Sequence, residues 1–239
     1  MKLNVSVLKK YFTNLFYLRR IHSALGVIPI SLFVVEHMLS NFLAVFGPER
    51  YDEHVRFLTS MPFLEFIEIT FIALPILFHV LLGIYISYTA KHNAGQYVYP
   101  RNWMYTLQRA TGILLVFYIS YHVWSTRIDG ILEHEFIGFE HMREQLTNHF
   151  ILAFYVLGVC SALFHFANGL WGFCISWGIT VTPTSQRKAG IIFYAIGFVL
   201  CAAGLAGLFS FNRTFRNGFR ISRCRRGRTC GTYGNDPRL

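Results

Sequence analysis

Five long apolar stretches constrain this chain more than any other feature: Ile21 to Phe46, Phe66 to Ala90, Met104 to Trp124, Phe150 to Trp177 and Gly190 to Phe211. A helix rises about 1.5 Å per residue, so each stretch covers the roughly 30 Å hydrocarbon layer of a bilayer. Lipid offers backbone N–H and C=O groups no partner, and a helix satisfies them within its own segment. The expectation is an all-α integral membrane protein with five transmembrane helices. With 24 Phe, 13 Tyr and only 14% charged residues among 239, the chain carries more apolar surface than a water-soluble core can hide, which excludes a soluble enzyme. Pro29 and Pro75 fall inside the first two stretches, where neighbouring helices can accommodate them and kinks are expected.

The connectors alternate in charge. Lys2, Lys9, Lys10, Arg19 and Arg20 precede the first stretch; Lys91, Arg101 and Arg109 follow the second; Arg187 and Lys188 precede the fifth, and none of these links holds an acid. The connector from Pro48 to Glu65 carries Glu49, Asp52, Glu53 and Glu65 against two Arg, and the one from Arg127 to His149 carries Asp129, Glu133, Glu135, Glu140 and Glu144 against two. The positive-inside bias places the N-terminus and the basic links in the cytoplasm and the acidic connectors outside. The net charge of +10 is therefore read as topology, and no nucleic-acid partner is expected.

Three regions follow. In residues 1–20, Leu3, Val7, Leu8, Tyr11, Phe12, Leu15 and Phe16 recur at helical spacing. They suit an amphipathic cytoplasmic helix in the headgroup region or, equally, a docking surface for a cytoplasmic partner. Residues 21–211 form the membrane domain, inserted by its first span without a removable signal. Residues 212–239, with eight arginines and no helical periodicity, read as a disordered extension. Cys160, Cys174 and Cys201 lie in apolar runs as small packing residues; Cys224 and Cys230 lie in the tail, and no paired spacing marks a zinc site or disulfide framework.

The first four stretches each carry one histidine: His37, His79, His122 and His165. One imidazole in an apolar helix is most often hydrogen-bonded packing, but four, one per helix, point to a shared task, because polar groups in hydrocarbon are costly without one. Neutral imidazole is a good iron ligand, and two rings from opposed helices can hold one haem between them. His122 lies about 8 Å along its helix from Arg127, whereas His165 lies about 24 Å from the outer end of its helix at His149, so those two cannot share a metal. His37 and His79 differ only modestly in depth. Depth pairs His37 with His122 at an outer site and His79 with His165 at an inner one. Small residues flank these positions, as in Gly158, Ser161, Gly169 and Gly172 around His165, or Gly26 and Ser40 around His37. Gly190, Gly197 and Gly204 repeat in the fifth stretch without a histidine, which is close helix packing. Two histidines on one iron fill both open positions and favour electron transfer over oxygen chemistry, and two haems stacked in one bundle conduct from face to face.

Several motifs resemble one family. Arg19-Arg20-Ile21-His22-Ser23-Ala24-Leu25-Gly26-Val27-Ile28-Pro29, Ala90-Lys91-His92-Asn93-Ala94-Gly95-Gln96-Tyr97, Gln108-Arg109-Ala110-Thr111-Gly112, Tyr121-His122-Val123-Trp124, His165-Phe166-Ala167-Asn168-Gly169-Leu170-Trp171 and Thr180-Val181-Thr182-Pro183 are similar to the di-haem cytochrome b anchors of Bacillus-type succinate dehydrogenase. The resemblance runs from about Tyr17 to Phe211. It implies an anchor in the bacterial cytoplasmic membrane that binds a flavoprotein and an iron-sulfur subunit, and passes electrons from succinate through two b haems to menaquinone. It assigns His79 and His165 to the inner, higher-potential haem and His37 and His122 to the outer, lower-potential one. The same architecture serves fumarate reductases. The arginine tail departs from the family, which stops soon after the fifth helix.

Weaker candidates surround the histidines. Arg19, Arg20, Ser23 and Arg109, with His22 beside them, suit haem propionates or simply anchor helix ends. Glu36 and Glu68 are the carboxylates best placed by depth for quinone or proton chemistry at the outer face. His54, His92, His134, His141 and His149 lie in connectors and are expected to be solvated. Two other readings remain: a haem-free, proton-coupled transporter, and the cytochrome b anchor of another quinone-linked dehydrogenase.

Overall fold

The computed structural model describes the backbone of residues 5–90 and 95–225, and the side chains of residues 14–90 and 95–212. Every regular element among the described residues is helical. The first run comprises α1 (Val5–Leu25), a π-helical turn (Gly26–Ile30), α2 (Ser31–Phe42) and a 3-10 turn (Leu43–Phe46). It passes residue 20 without interruption. Pro29 sits in the π-turn, and both the backbone N–H and the hydroxyl of Ser31 donate to the Gly26 carbonyl, the latter at 2.7 Å. The pairing thus shifts from i−4 to i−5 across the turn that holds the proline. Pro75 also has a π-turn beside it: α4 (Leu64–Ile67) leads through a π-turn (Glu68–Ala73) into α5 (Leu74–Thr89), with Pro75 in its first turn. One-residue register shifts take the place of breaks.

Four helical runs among the described residues are long and apolar enough to cross a membrane: Asn14–Phe46, Leu64–Thr89, His149–Ser176 and Pro183–Asn212. The expected count is five. The remaining stretch forms α6 (Pro100–Val123), whose 24 residues reach about 36 Å but whose Arg101, Asn102, Gln108 and Arg109 dilute its apolar character. Gln108 and Arg109 point into the bundle, whereas Arg101 is exposed at the helix start. Arg109 is buried with its guanidinium 4.4 Å from the Tyr105 ring centre, and Gln108 Oε1 accepts a 2.8 Å bond from Asn168 of α9 (His149–Ser176). Asn168 Oδ1 in turn accepts from the Tyr194 hydroxyl at 2.7 Å, linking α10 (Pro183–Arg225) to the same network.

The helix α10 runs past Asn212 to Arg225. Arginine is a good helix former, and extending an existing helix costs far less than starting one. Residues 226–239 lie outside the described residues. The small-residue repeat of this helix serves packing, as expected. A Cβ on Gly197 would stand 2.8 Å from Ala167 and one on Gly204 2.7 Å from the Met38 sulfur, while Gly207 lies against the Asn41 carbonyl.

The two acidic connectors meet at one end of the bundle. There α3 (Pro48–Thr59) and α8 (Phe139–Gln145) are joined by the Asp52 carboxylate, which accepts the Phe139 N–H at 2.7 Å. The rings of Tyr51, Phe139 and Phe211 pack within 4.7 to 6.1 Å of one another. Burial, with Asp52 and Tyr155 nearby, pushes the Tyr51 hydroxyl up to about 12, so it stays neutral. Gly47 enters α3 at φ 106, a conformation open to glycine. Between α6 and α8 lie a π-turn (Trp124–Ile128) and the short α7 (Asp129–Leu132).

Basic residues gather at the opposite end. Arg20 lies 4.8 Å over the Trp177 ring, Trp177 donates to Ser23 Oγ at 3.0 Å, and Arg101 lies over Trp171 and donates to Gln186. The charge alternation of the sequence thus separates into two ends of one bundle.

Candidate cofactor sites: two histidine pairs

At the acidic end, α2 presents His37 and α6 presents His122, their ring centres 5.6 Å apart. His122 Nδ1 lies 3.3 Å from the Tyr155 hydroxyl, whose own proton goes to Gln145 Oε1 at 3.1 Å. The hydroxyl proton is committed, so Nδ1–H donates to the tyrosine oxygen and Nε2 keeps its lone pair. Tyr118 stacks on His122 at 5.8 Å, and it fits there because residue 158 is glycine, where a Cβ would run into the Tyr118 ring. His37 is held differently: Asn41 Nδ2 donates to the His37 carbonyl at 2.8 Å and lies 3.3 Å from His37 Nε2.

At the basic end, α5 presents His79 and α9 presents His165, with ring centres 6.2 Å apart. His79 Nδ1 lies 3.0 Å from the His22 carbonyl, and His165 Nδ1 lies 3.0 Å from the Gln108 carbonyl. A carbonyl only accepts, so both Nδ1 atoms carry hydrogen and both Nε2 atoms keep their lone pairs. The His22 ring stacks on His79 with centres 3.9 Å apart. Two glycines make room: a Cβ on Gly26 would stand 2.8 Å from the His79 ring, and one on Gly112 would stand 3.1 Å from His165.

The residues of each pair would fit a metal held between their two rings. Metal to imidazole bonds of about 2.0–2.1 Å put the centres of two opposed rings about 6 Å apart. The basic-end pair has that separation, and the acidic-end pair is slightly closer, with Asn41 beside the His37 lone pair. Three of the four rings present the tautomer that leaves Nε2 for the metal, and in metal sites the other ring nitrogen donates to just such oxygen acceptors.

Residues 95–204 match the succinate dehydrogenase/fumarate reductase transmembrane subunit family. The chain is also 45% identical over 196 residues to the succinate dehydrogenase cytochrome b558 subunit of Bacillus subtilis strain 168, an alignment covering 82% of this chain and 96% of the relative. The chain belongs to this family.

Around the two pairs, this transmembrane subunit places its other candidate residues unevenly. Arg20 and Ser23 are both engaged with Trp177 at the basic end, Arg19 is exposed nearby, and Arg109 is buried next to Gln108. Glu68 is not alone: Arg127 Nε and Nη2 donate to its Oε2 at 2.9 and 2.6 Å. Glu36 accepts from the Ser40 hydroxyl. Two connector histidines depart from the expected solvation, because His54 Nε2 lies 2.8 Å from Ser40 Oγ and His141 Nε2 donates to the Ser125 carbonyl at 3.0 Å. His134 and His149 are exposed, and His92 lies outside the described residues. Sequence reasoning did not single out Tyr155 or Arg127. Buried polar atoms opposite a histidine or an acid are the signal, and only the fold supplies it.

Proposed function

We propose that this chain is the membrane anchor and electron-transfer subunit of a succinate dehydrogenase, holding two b haems. His37 and His122 would hold the outer one, and His79 and His165 the inner one. The observation that carries this reading is the set of two imidazole pairs, one near each end of the bundle, with three of the four Nε2 lone pairs fixed toward a partner by hydrogen bonds on Nδ1. The cytochrome name of the Bacillus relative supports it.

When bound, a haem at each site would be held by the two histidines of that pair and would supply a one-electron redox centre. The chain does the rest. The carbonyls of His22 and Gln108 orient the inner ligands and raise their basicity, as the Tyr155 hydroxyl does for His122. Gly26 and Gly112 give the inner rings their place. Arg20, Ser23 and Arg109, with Arg19 at the rim, provide donors for propionates at the basic end. Apolar side chains on the spans exclude water, so the route between the ends stays dry.

In this reading α6 is the fifth crossing, the basic end and the N-terminus face the cytoplasm of a bacterial cell, and that face docks the flavoprotein and iron-sulfur subunits. Menaquinone reacts at the outer end, where Glu36 and Glu68 are the carboxylates in reach. A reduced-minus-oxidised spectrum with haem measured per polypeptide tests the proposal. It expects two b-type haems per chain. A colourless protein, as a haem-free transporter would be, or one with a single iron, overturns it.

A further inference from the structure

The helix α10 carries no histidine within its membrane span, yet it meets α9 through a pair of cysteines. Cys160 of α9 and Cys201 of α10 bring their sulfurs to 3.8 Å, with the Cys201 S–H turned toward Cys160. Each lies eleven residues, about 16 Å, from the acidic end of its span, at His149 and Asn212. Both therefore sit at one depth, near the middle of a hydrocarbon layer roughly 30 Å thick. Glycines set the approach of the two backbones. One turn to either side of Cys201, a Cβ on Gly197 would stand 2.8 Å from Ala167 and one on Gly204 would stand 3.3 Å from Val159. Small residues at such spacing let membrane helices pack closely. Neither cysteine is fully buried, and Leu157 and Phe198, one turn away on their own helices, are 50% and 76% exposed. In a membrane-crossing bundle this seam opens to lipid.

The two sulfurs are one short movement from a bond. A disulfide sets them about 2.0 Å apart, and rotation about the two Cα–Cβ bonds is the motion available to close the remaining gap of about 1.8 Å. Peroxide oxidation of a thiol proceeds through the thiolate, which apolar surroundings disfavour. Hydrogen-atom transfer needs no ionisation. A peroxyl radical dissolved in lipid takes the hydrogen atom of one thiol, leaving a hydroperoxide and a thiyl radical. A second peroxyl radical does the same at the other thiol, and the two thiyl radicals pair their electrons in the S–S bond. Two thiols and two peroxyl radicals become one disulfide and two hydroperoxides, with no proton or charge left over.

We infer that Cys160 and Cys201 form a redox-modification site for lipid-borne peroxyl radicals, at which oxidation ties α10 to the histidine-bearing α9. The tie forms five residues along α9 from His165. Pairing decides the product: two thiols end as a disulfide, which a reductant restores, whereas a single thiol goes on to sulfinic and sulfonic acids. Cys174 supplies the contrast within the same helix. It lies fourteen residues, about 21 Å, along α9 from Cys160, so neither Cys160 nor Cys201 is within its reach. The inference does not depend on the electron-transfer function proposed above.

The test uses the complete complex with its soluble subunits in nanodiscs of saturated lipid, treated in air with the lipid-soluble initiator azobis-dimethylvaleronitrile. The water-soluble azobis-amidinopropane is run alongside at equal radical flux. Peptide mass spectrometry without reduction is expected to find a species joining Cys160 to Cys201 after the lipid-soluble treatment, the two thiols being lost one for one while Cys174 stays alkylatable. Reduction is expected to return both thiols. Cys201→Ser, checked for assembly by its unchanged haem spectrum, is expected to abolish the joined species and to leave Cys160 as oxygen acids. The unmodified complex decides the matter even if that variant fails to assemble. Absence of the joined species, or its equal yield with the water-soluble initiator, overturns the assignment and leaves the anchor function standing.

Discussion

The histidine pairs at the two ends of the bundle share a ligand chemistry but not the atoms that hold it. At the basic end His79 and His165 both donate from Nδ1 to main-chain carbonyls, of His22 and Gln108, and glycines at 26 and 112 admit their rings. At the acidic end the partners are side chains: the Tyr155 hydroxyl for His122, and the Asn41 amide for His37. A carbonyl inside a helix stays in place whatever the side chain, so the basic-end geometry belongs to the fold itself. The acidic-end geometry belongs to individual residues and is open to tuning. For two centres in series, this arrangement allows one to be adjusted without disturbing the other.

The largest break in this comparison comes from removing a ligand. His122→Ala is expected to abolish the outer haem and leave the inner one and the docking of the soluble subunits intact, seen as half the haem per polypeptide with one b-type component remaining in a redox titration. The two pairs share no residue, so loss of both components together would show that the ends are not independent.

A smaller effect separates space from ligation. Gly26→Ala puts a methyl 2.8 Å from the His79 ring, on a helix backbone that cannot retreat, and about 1–3 kcal/mol of overpacking is expected. Gly169→Ala meets only the Gln108 amide at 3.5 Å, an ordinary contact, and is expected to be tolerated. Inner-haem content after purification, compared between the two variants, checks this. Equal retention in both would mean that the basic-end rings are not held as tightly as their carbonyl bonds imply.

Much of this was legible in the sequence, and the parts that were not share a cause. Histidines at positions 37, 79, 122 and 165 stand out because each interrupts an apolar helix, and their pairing followed from depth along helices of known rise. Glycine stripes were visible, but which ring each glycine admits was not: Gly26 was grouped with His37 on its own helix, and it is His79 on another helix that fills the space. Spacing along one helix carries no information about the neighbour across the interface. His54 was assigned to solvent by its place in a connector, and only the return of α3 onto α2 brings it to Ser40. Proline predicts a kink at residues 29 and 75, but not that a π-turn stands at or beside each of them. The third stretch was read as an apolar span, yet its Gln108 and Arg109 are held inside the bundle, which composition cannot distinguish from exposure.

The finest effect addresses the tuning directly. Tyr155→Phe keeps the ring that packs on Tyr118 and His122 and removes only the hydroxyl that accepts the His122 Nδ1 proton. An accepted Nδ1–H makes the imidazole a stronger electron donor and favours the oxidised metal, so losing the acceptor raises the reduction potential. One hydrogen bond of about 1 kcal/mol, felt only in part as a difference between oxidation states, corresponds to about 20–40 mV for a one-electron couple. A potentiometric titration of the variant is expected to move the outer component upward by that amount and leave the inner component where it was. The inner ligands lean on the carbonyls of His22 and Gln108 at 3.0 Å, with the Thr111 hydroxyl farther off, 3.3 Å from His165 Nδ1. A shift of the inner component, or a downward shift of the outer one, would mean that Tyr155 acts through packing, and the contrast between backbone-held and side-chain-held ligands would lose its electronic consequence.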